Sequence, residues 1–172
     1  MQKRYYITGV CGTGKTTVAG ELNSRGICAI DQDSKEYGLC SWKHNKTKED
    51  AQFEYGIGKE FLEANDYYCD IEKLKRLLDT FDEAVFVCGV SANQDEYLNM
   101  FDKVFLLRCS QETFVQRIDA RNDNEFGKDP SEKDHILDWY QELEEGLIHK
   151  GATVINSDAP VDTVVDEILN NI

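Results

Sequence analysis

The chain has 172 residues, of which 41% are hydrophobic, 30% are charged and two are proline. This length suits one domain that buries about 70% of its unfolded surface, and so little proline argues against long linkers. The formal net charge of −14 disfavours nucleic-acid partners, because the average field would repel a polyanion, and no apolar run suggests a membrane partner.

The first element in chain order is an apolar run at Tyr5–Thr8, which predicts a strand and leads into a glycine-rich loop at 9–16. The loop matches the pattern G-x-x-x-x-G-K-[ST] and precedes a predicted helix, which is the setting of a nucleoside triphosphate-binding loop. Backbone N–H groups and the helix N-terminus converge on the phosphates, Lys15 adds a positive charge, and Thr16 offers a hydroxyl to Mg²⁺. The residues predicted to bind nucleotide here are Gly9, Gly12, Thr13, Gly14, Lys15, Thr16 and Thr17.

Two aspartates follow the second apolar run, Ile27–Ile30. Asp31 and Asp33 are two positions apart, so they point to the same side of an extended chain. In a parallel sheet, ligands lie at the carboxyl ends of the strands, which places both carboxylates near the phosphate loop. One carboxylate can then hold a Mg²⁺-bound water while the other reaches an acceptor. The alternative is a polar turn cap or a solvated pair.

A long segment, 32–80, separates the second and third apolar runs and shows no strand pattern. Long insertions in compact α/β domains are usually functional, so we interpret about 34–80 as a substrate-binding subdomain. Its helical content is predicted from apolar spacing at Phe53, Ile57, Phe61 and Leu62. Its aromatic residues either offer a stacking surface for a ring or, as we favour, pack the insertion's own small core: Tyr37, Trp42, Tyr67 and Tyr68.

Three further apolar runs, at 84–88, 104–107 and 153–155, complete a set of five predicted strands. Each run is continuously apolar, as expected of parallel strands that are covered on both faces. Helical patterns occupy 132–149 and 161–172. The alternation predicts an α/β sheet with helices on both sides.

Two arginines, Arg117 and Arg121, lead into a polar segment at 121–131. Because they are four positions apart, they share one face of a predicted helix. Phosphoryl transfer benefits from cations that arrive when a site closes, so we interpret 121–131 as a mobile lid. The alternative is a pair of exposed arginines that bind nearby carboxylates: Glu112, Asp119 or Asp123.

Taken in this order, with a closing Asp-Ala-Pro turn at 158–160, the motifs resemble the small P-loop kinases. This adenylate-kinase-like group includes the shikimate and gluconate kinases. The resemblance covers nearly the whole chain and implies one kinase domain over 1–172, with a three-layer α/β fold. It further implies a five-stranded parallel sheet in the order 2-3-1-4-5 and ATP, with Mg²⁺, as the phosphoryl donor.

The resemblance also implies a role for each matching residue. Asp31 would bind Mg²⁺ through water, and Asp33 would orient or deprotonate the acceptor hydroxyl. Arg117 would stack on adenine, and Arg121 would contact phosphates. The other implied contacts are Ala159 and Pro160 with adenine, Gly89 and Asn93 with the acceptor, and Thr16 with the metal. The implied catalytic residues are Lys15, Asp33 and Arg121.

The absence of arginine from residues 31–75 bears on the choice of acceptor. Nucleoside monophosphate kinases clamp the acceptor phosphate with arginines in this segment, and lysine lacks the bidentate fork that suits phosphate. We therefore predict an ATP-dependent kinase that transfers the γ-phosphoryl group to a hydroxyl of a small neutral or cationic metabolite. Two alternatives stay open: a nucleoside monophosphate kinase, and a nucleotide-binding protein without turnover. A GTPase switch is disfavoured, because D-x-x-G and N-K-x-D are both absent.

The six cysteines include no C-x-x-C pair, and several lie in predicted strands. This predicts buried thiols in a reducing compartment instead of a zinc site or a disulfide framework. Because no secretory signal is seen, we expect a cytoplasmic protein. We expect a monomer or a weak homodimer whose partners are ATP and a small-molecule acceptor.

Overall fold

The computed structural model describes residues 2–122 and 124–172. Asp123, which the sequence analysis placed in the lid, lies outside the described residues. In chain order the elements are β1 Arg4–Thr8, α1 Lys15–Ser24, β2 Ala29–Asp31, β3 Cys40–His44, α2 Lys59–Ala64, β4 Asn65–Cys69, α3 Ile71–Leu78, β5 Val85–Cys88, β6 Lys103–Arg108, α4 Gln111–Ala120, α5 Pro130–His149, β7 Thr153–Asn156 and α6 Val161–Leu169. Two short 3₁₀ turns, Gln94–Glu96 and Leu98–Met100, follow β5.

The central sheet has five strands in the order β2-β5-β1-β6-β7, and all its neighbours are parallel. Counted among these strands alone, the order is 2-3-1-4-5, so the predicted fold is confirmed. Strand β2 begins at Ala29, two residues later than the apolar run, because Ile27 and Cys28 belong to the approach from α1. The sheet brings the carboxyl ends of β1, β2 and β5 to one edge, where the predicted site lies.

Each face of the sheet has its own apolar core. On one face, Tyr5 and Ile7 of β1 pack with residues of α1 and α6. On the other, Tyr6 packs with α3 and the 3₁₀ turns. A third cluster joins the phosphate loop to α4 and α5 through Val10, Phe114, Ile118 and Ile136. The alternation of neighbouring β1 residues between faces explains why the strand is apolar throughout.

The insertion contains a β-hairpin that the sequence analysis missed. Strands β3 and β4 pair antiparallel, with Trp42 directly opposite Tyr67, and the predicted absence of strands from 32–80 is therefore wrong. Phe53 and Ile57 lie outside the six-residue helix α2, which includes Phe61. The aromatic spacing reflects tertiary packing instead of a helical face, since the Trp42 ring stacks on Phe53 at 5.0 Å and meets Phe61 at 5.6 Å.

The predicted lid connects α4 to α5, and one aromatic residue joins it to the insertion. Helix α5 starts at Pro130, so the connection covers 121–129. The connection is polar apart from one aromatic side chain. Phe126 packs against Phe53 and Trp42, with ring centroids 5.6 and 6.2 Å apart.

Over the part of the chain that the structure describes, every helix is too short or too polar to cross a membrane.

Candidate active site

The phosphate loop leaves β1 and winds into the N-terminus of α1. A Cβ atom at Gly9 would lie 2.6 Å from the Leu107 carbonyl oxygen, and one at Gly12 would lie 2.6 Å from that of Phe114. Both residues also have positive φ angles, 150° and 85°. Only glycine fits such close backbone approaches in these conformations. The loop therefore needs its glycines for packing as well as for access to a ligand.

Charged and polar groups of the loop face the same point as the helix N-terminus. Lys15 Nζ donates hydrogen bonds to the carbonyl oxygens of Gly9 and Val10, at 2.7 and 2.9 Å. The first turn of α1 contains no acidic residue, so the positive end of the helix is not neutralised there. The hydroxyl-bearing Thr16 and Thr17 are exposed in that same turn. This arrangement can bind the phosphates of a nucleotide.

Asp31 and Asp33 lie at the same edge as Lys15. The Asp33 N–H donates to Asp31 Oδ1 at 3.0 Å, which turns the chain directly after β2. Burial of the carboxyl among protein atoms raises the pKa of Asp33 to about 6; the charge of Lys15 opposes this rise, and the charge of Asp31 adds to it. The Tyr67 hydroxyl also interacts with Asp33 and lowers the pKa of that carboxyl. Taken as a whole residue, Asp33 is exposed, so solvent still reaches it.

Gln32, between the two aspartates, is fully buried and points the opposite way. Its Oε1 accepts from the Tyr6 hydroxyl at 3.0 Å, and its Nε2 donates to Cys40 Sγ at 3.1 Å. Its backbone N–H donates to the Cys88 carbonyl oxygen at 2.9 Å. These contacts anchor the chain between Asp31 and Asp33, whose side chains alternation directs to the side opposite Gln32. Sequence reasoning missed Gln32, although strand alternation would have pointed it into the core.

Two residues expected to contact the acceptor also make contacts within the protein. A Cβ atom at Gly89 would lie 2.5 Å from the Cβ of Gln32, so Gly89 makes room for that side chain. Asn93 is buried, and its Oδ1 accepts from the Cys69 N–H and the Ser91 hydroxyl, while its Nδ2 donates to the Cys69 carbonyl oxygen. Three of the four hydrogen-bonding positions of the Asn93 amide are thus used within the protein. These contacts attach the loop after β5 to strand β4, and contact of Asn93 with an acceptor stays a prediction.

The two arginines of the α4 region are directed to different partners. Arg117 donates from Nη2 to the Ser157 carbonyl oxygen at 2.9 Å, which places it beside the turn that contains Ala159 and Pro160. Arg121 donates from Nε to the Asn124 carbonyl oxygen at 2.9 Å and from Nη2 to that of Phe126. The structure thus brings Arg117 to the expected adenine edge, whereas the guanidinium of Arg121 binds the lid backbone.

Comparison with known proteins identifies the family. A family model described as an AAA domain matches residues 6–138, which is more than half of the chain. No curated protein matches the chain.

Solved structures with the same fold include several kinases. Deoxyadenosine kinase from M. mycoides is 18% identical, with a TM-score of 0.58 and coverage of 98% of this chain and 97% of that chain. Shikimate kinase from Aquifex aeolicus is 22% identical, with a TM-score of 0.58 and coverage of 98% and 94%. A gluconokinase from Sinorhizobium meliloti is 16% identical, with a TM-score of 0.58 and coverage of 98% and 90%. Identities this low show a shared fold only. The phosphate loop, the sheet order and the matched family model together establish that the chain belongs to the AAA-domain family and has the fold of the small P-loop kinases.

Proposed function

We propose that the protein is an ATP-dependent kinase that phosphorylates a hydroxyl of a small metabolite carrying no phosphate of its own. The observation that carries this proposal is the position of Asp33, which interacts with Lys15 at the carboxyl edge of the sheet. Lys15 belongs to the phosphate loop, so a carboxylate at this point lies where an acceptor would meet a γ-phosphoryl group.

The donor side of the proposed site is formed by the phosphate loop and by Arg117. Lys15 and the N-terminus of α1 hold the phosphates, and Arg117 covers the base beside Ala159 and Pro160. The Thr16 hydroxyl and the Asp31 carboxylate are oxygen donors, which fits Mg²⁺, a hard cation that keeps several waters. Bound Mg²⁺ would neutralise charge on the phosphate oxygens.

On the acceptor side, Asp33 takes the hydroxyl proton. A pKa of about 6 leaves this carboxyl largely ionised at neutral pH yet basic enough to accept a proton in the transition state. The acceptor oxygen then bonds to the γ-phosphorus, the bond from that phosphorus to the β,γ-bridging oxygen breaks, and ADP leaves with the electron pair. We assign acceptor binding to the insertion at about 34–80 and closure over ATP to the lid at about 121–131, where Arg121 would reach the phosphates.

Lysine contacts in the insertion favour an acceptor without phosphate. Lys43 pairs with Asp50 at 2.6 Å, and Lys73 donates to the Gly38 carbonyl oxygen at 2.8 Å. Lys48 donates to the Tyr68 hydroxyl, and Lys59 pairs with Glu63 at 3.6 Å. These four ammonium groups are already bound within the insertion, and lysine at any position there, the exposed Lys35 and Lys46 included, lacks the bidentate fork of an arginine clamp.

The test is ADP release from Mg·ATP across two panels, non-phosphorylated alcohols and nucleoside monophosphates. We expect activity with a sugar, nucleoside or amino alcohol, loss of that activity in Asp33→Asn, and retention in Asp82→Asn, an exposed aspartate of the α3–β5 connection. Activity confined to monophosphates would support the nucleotide kinase instead. If the protein binds ATP but releases no ADP with either panel, the proposal that it is a kinase is refuted.

A further inference from the structure

A buried carboxylate joins the insertion to the lid. Glu132 has no exposed surface, and its two oxygens accept hydrogen bonds from two different segments. Oε1 accepts from the Gly56 N–H at 2.9 Å, and Oε2 accepts from the Gly127 N–H at 2.7 Å. Gly56 belongs to the insertion and Gly127 to the lid, so one side chain holds both.

The start of α5 explains why an acidic residue is stable in this position. Asp129 caps the helix by accepting from the Ser131 N–H at 2.9 Å, and Pro130 occupies the first turn. Glu132 is three residues after the cap, where a glutamate usually returns to the cap's own N–H. Here it reaches outward to Gly56 and Gly127, while the N-terminal end of a 20-residue helix favours its negative charge.

Glu132 depends strongly on these two donors. Within residues 2–122 and 124–172, no lysine or arginine forms an ion pair with it. A buried carboxylate that loses a donor pays a desolvation cost, so separating either segment from it is unfavourable. The insertion and the lid are therefore held to the same group.

A second contact connects the same two segments. Phe126 of the lid meets the ring of Trp42, with centroids 6.2 Å apart, and that of Phe53. The backbone carbonyl of Phe126 also accepts a hydrogen bond from Arg121. A chain of contacts thus runs from the arginine expected to bind phosphate, through Phe126, to Trp42 in the insertion.

We propose that Glu132 is a positioning residue that couples the insertion to the lid, so that ordering of the lid by nucleotide is transmitted to the insertion before any acceptor binds. The proposal rests on the proposed function for the identity of the ligands. Nucleotide phosphates would draw Arg121 from the Phe126 carbonyl, and the lid would move as a unit. Because Glu132 is bonded to both segments, movement of the lid displaces Gly56 and changes the surroundings of the Trp42 ring.

Trp42 offers a direct measurement of this coupling. The chain has two tryptophans, and Trp139→Phe leaves Trp42 as the only one. The Trp139 Nε1 is buried and has no hydrogen-bond partner among the described residues, so phenylalanine removes no bond seen there. The probe is Mg²⁺ with the non-hydrolysable β,γ-imido analogue of ATP, added without acceptor. Binding is measured separately by calorimetry.

We expect the analogue to change Trp42 emission and saturate at the calorimetric Kd. Glu132→Gln keeps the shape but turns an amide N–H₂ towards one of the two donors. It should abolish the Trp42 response while the Kd rises no more than about tenfold. Glu145→Gln, an exposed glutamate on the same helix, should keep the full response. Phe126→Leu, which removes the aromatic contact, should also lose the response and carries the test if Glu132→Gln does not fold.

A normal Trp42 response in folded Glu132→Gln or Phe126→Leu would overturn the coupling, and so would an unresponsive Trp42 in the parent when calorimetry shows binding. Absence of nucleotide binding in the parent would refute the proposed function together with the coupling, and calorimetry distinguishes this from failure of the coupling alone.

Discussion

Replacing Gln32 by leucine tests whether the buried residue between Asp31 and Asp33 positions them. Leucine has a similar size but makes none of the hydrogen bonds to Tyr6, Tyr97 and Cys40. The hydroxyls of Tyr6 and Tyr97 still bond to each other at 2.9 Å, so neither is left without a partner. The expected loss is therefore about 1–2 kcal/mol of unfolding free energy, or roughly 2–8 °C in Tm for a chain of this size.

The effect of Gln32→Leu on activity should exceed its effect on stability. If the turn after β2 loses its anchor, Asp33 moves relative to the phosphate loop, and a displacement near 1 Å can cost about 100-fold in rate. We expect kcat to fall roughly 10–100-fold with the acceptor from the screen, while KM for ATP changes little. Gln116→Leu, an exposed glutamine on α4, is the matched control. A lowered Tm with normal kcat would show that Gln32 only stabilises the fold.

Three further predictions follow from the site. Lys15→Ala removes the charge on the phosphate loop and should lower kcat/KM at least about 100-fold, as measured by ADP release; undiminished transfer would contradict the kinase proposal. Asp33→Asn should raise Tm at pH 8 and not at pH 4. The folded-state pKa of this carboxyl is about 6, above the ordinary 3.8, so its ionisation opposes folding as pH rises through that interval. Equal Tm differences at both pH values would show that the pKa of Asp33 is not raised in the folded protein. Arg117→Ala should raise KM for ATP more than it lowers kcat, whereas the exposed Arg76→Ala should do neither.

The phosphate loop and the sheet order were predictable from sequence because their determinants are local. The conformation of residues 9–16 requires glycines that lie within the loop itself, and each buried strand is a continuous apolar run. The hairpin was not predictable in this way. Its pairing of Trp42 with Tyr67 joins residues far apart in sequence, and the apolar spacing from Phe53 to Leu62 imitated a helix.

The roles of Asn93, Phe126 and Glu132 depend on which segments meet in space. A buried asparagine and an acceptor-contacting asparagine have the same sequence signature, so the contacts of Asn93 with Cys69 could not be inferred from the sequence. The polar composition of the lid gave no sign that Phe126 packs on the insertion. One aromatic residue is nevertheless enough to hold a loop against an existing aromatic cluster. The Asp-Pro-Ser-Glu sequence at 129–132 did signal the start of a helix, but its partners Gly56 and Gly127 could not be inferred from it.

The position of β1 in the middle of the sheet gives the two halves of the site different stiffness. β1 pairs on both sides, with β5 and β6, whereas the three-residue β2 pairs only with β5 at the edge. Amide hydrogens of β1 should therefore exchange with solvent only on global unfolding, while those of β2 and the turn to Asp33 exchange through local opening. On the proposed function, the half of the site that would bind nucleotide is then rigid, and the half that would bind an acceptor can adapt its shape with little loss of overall stability.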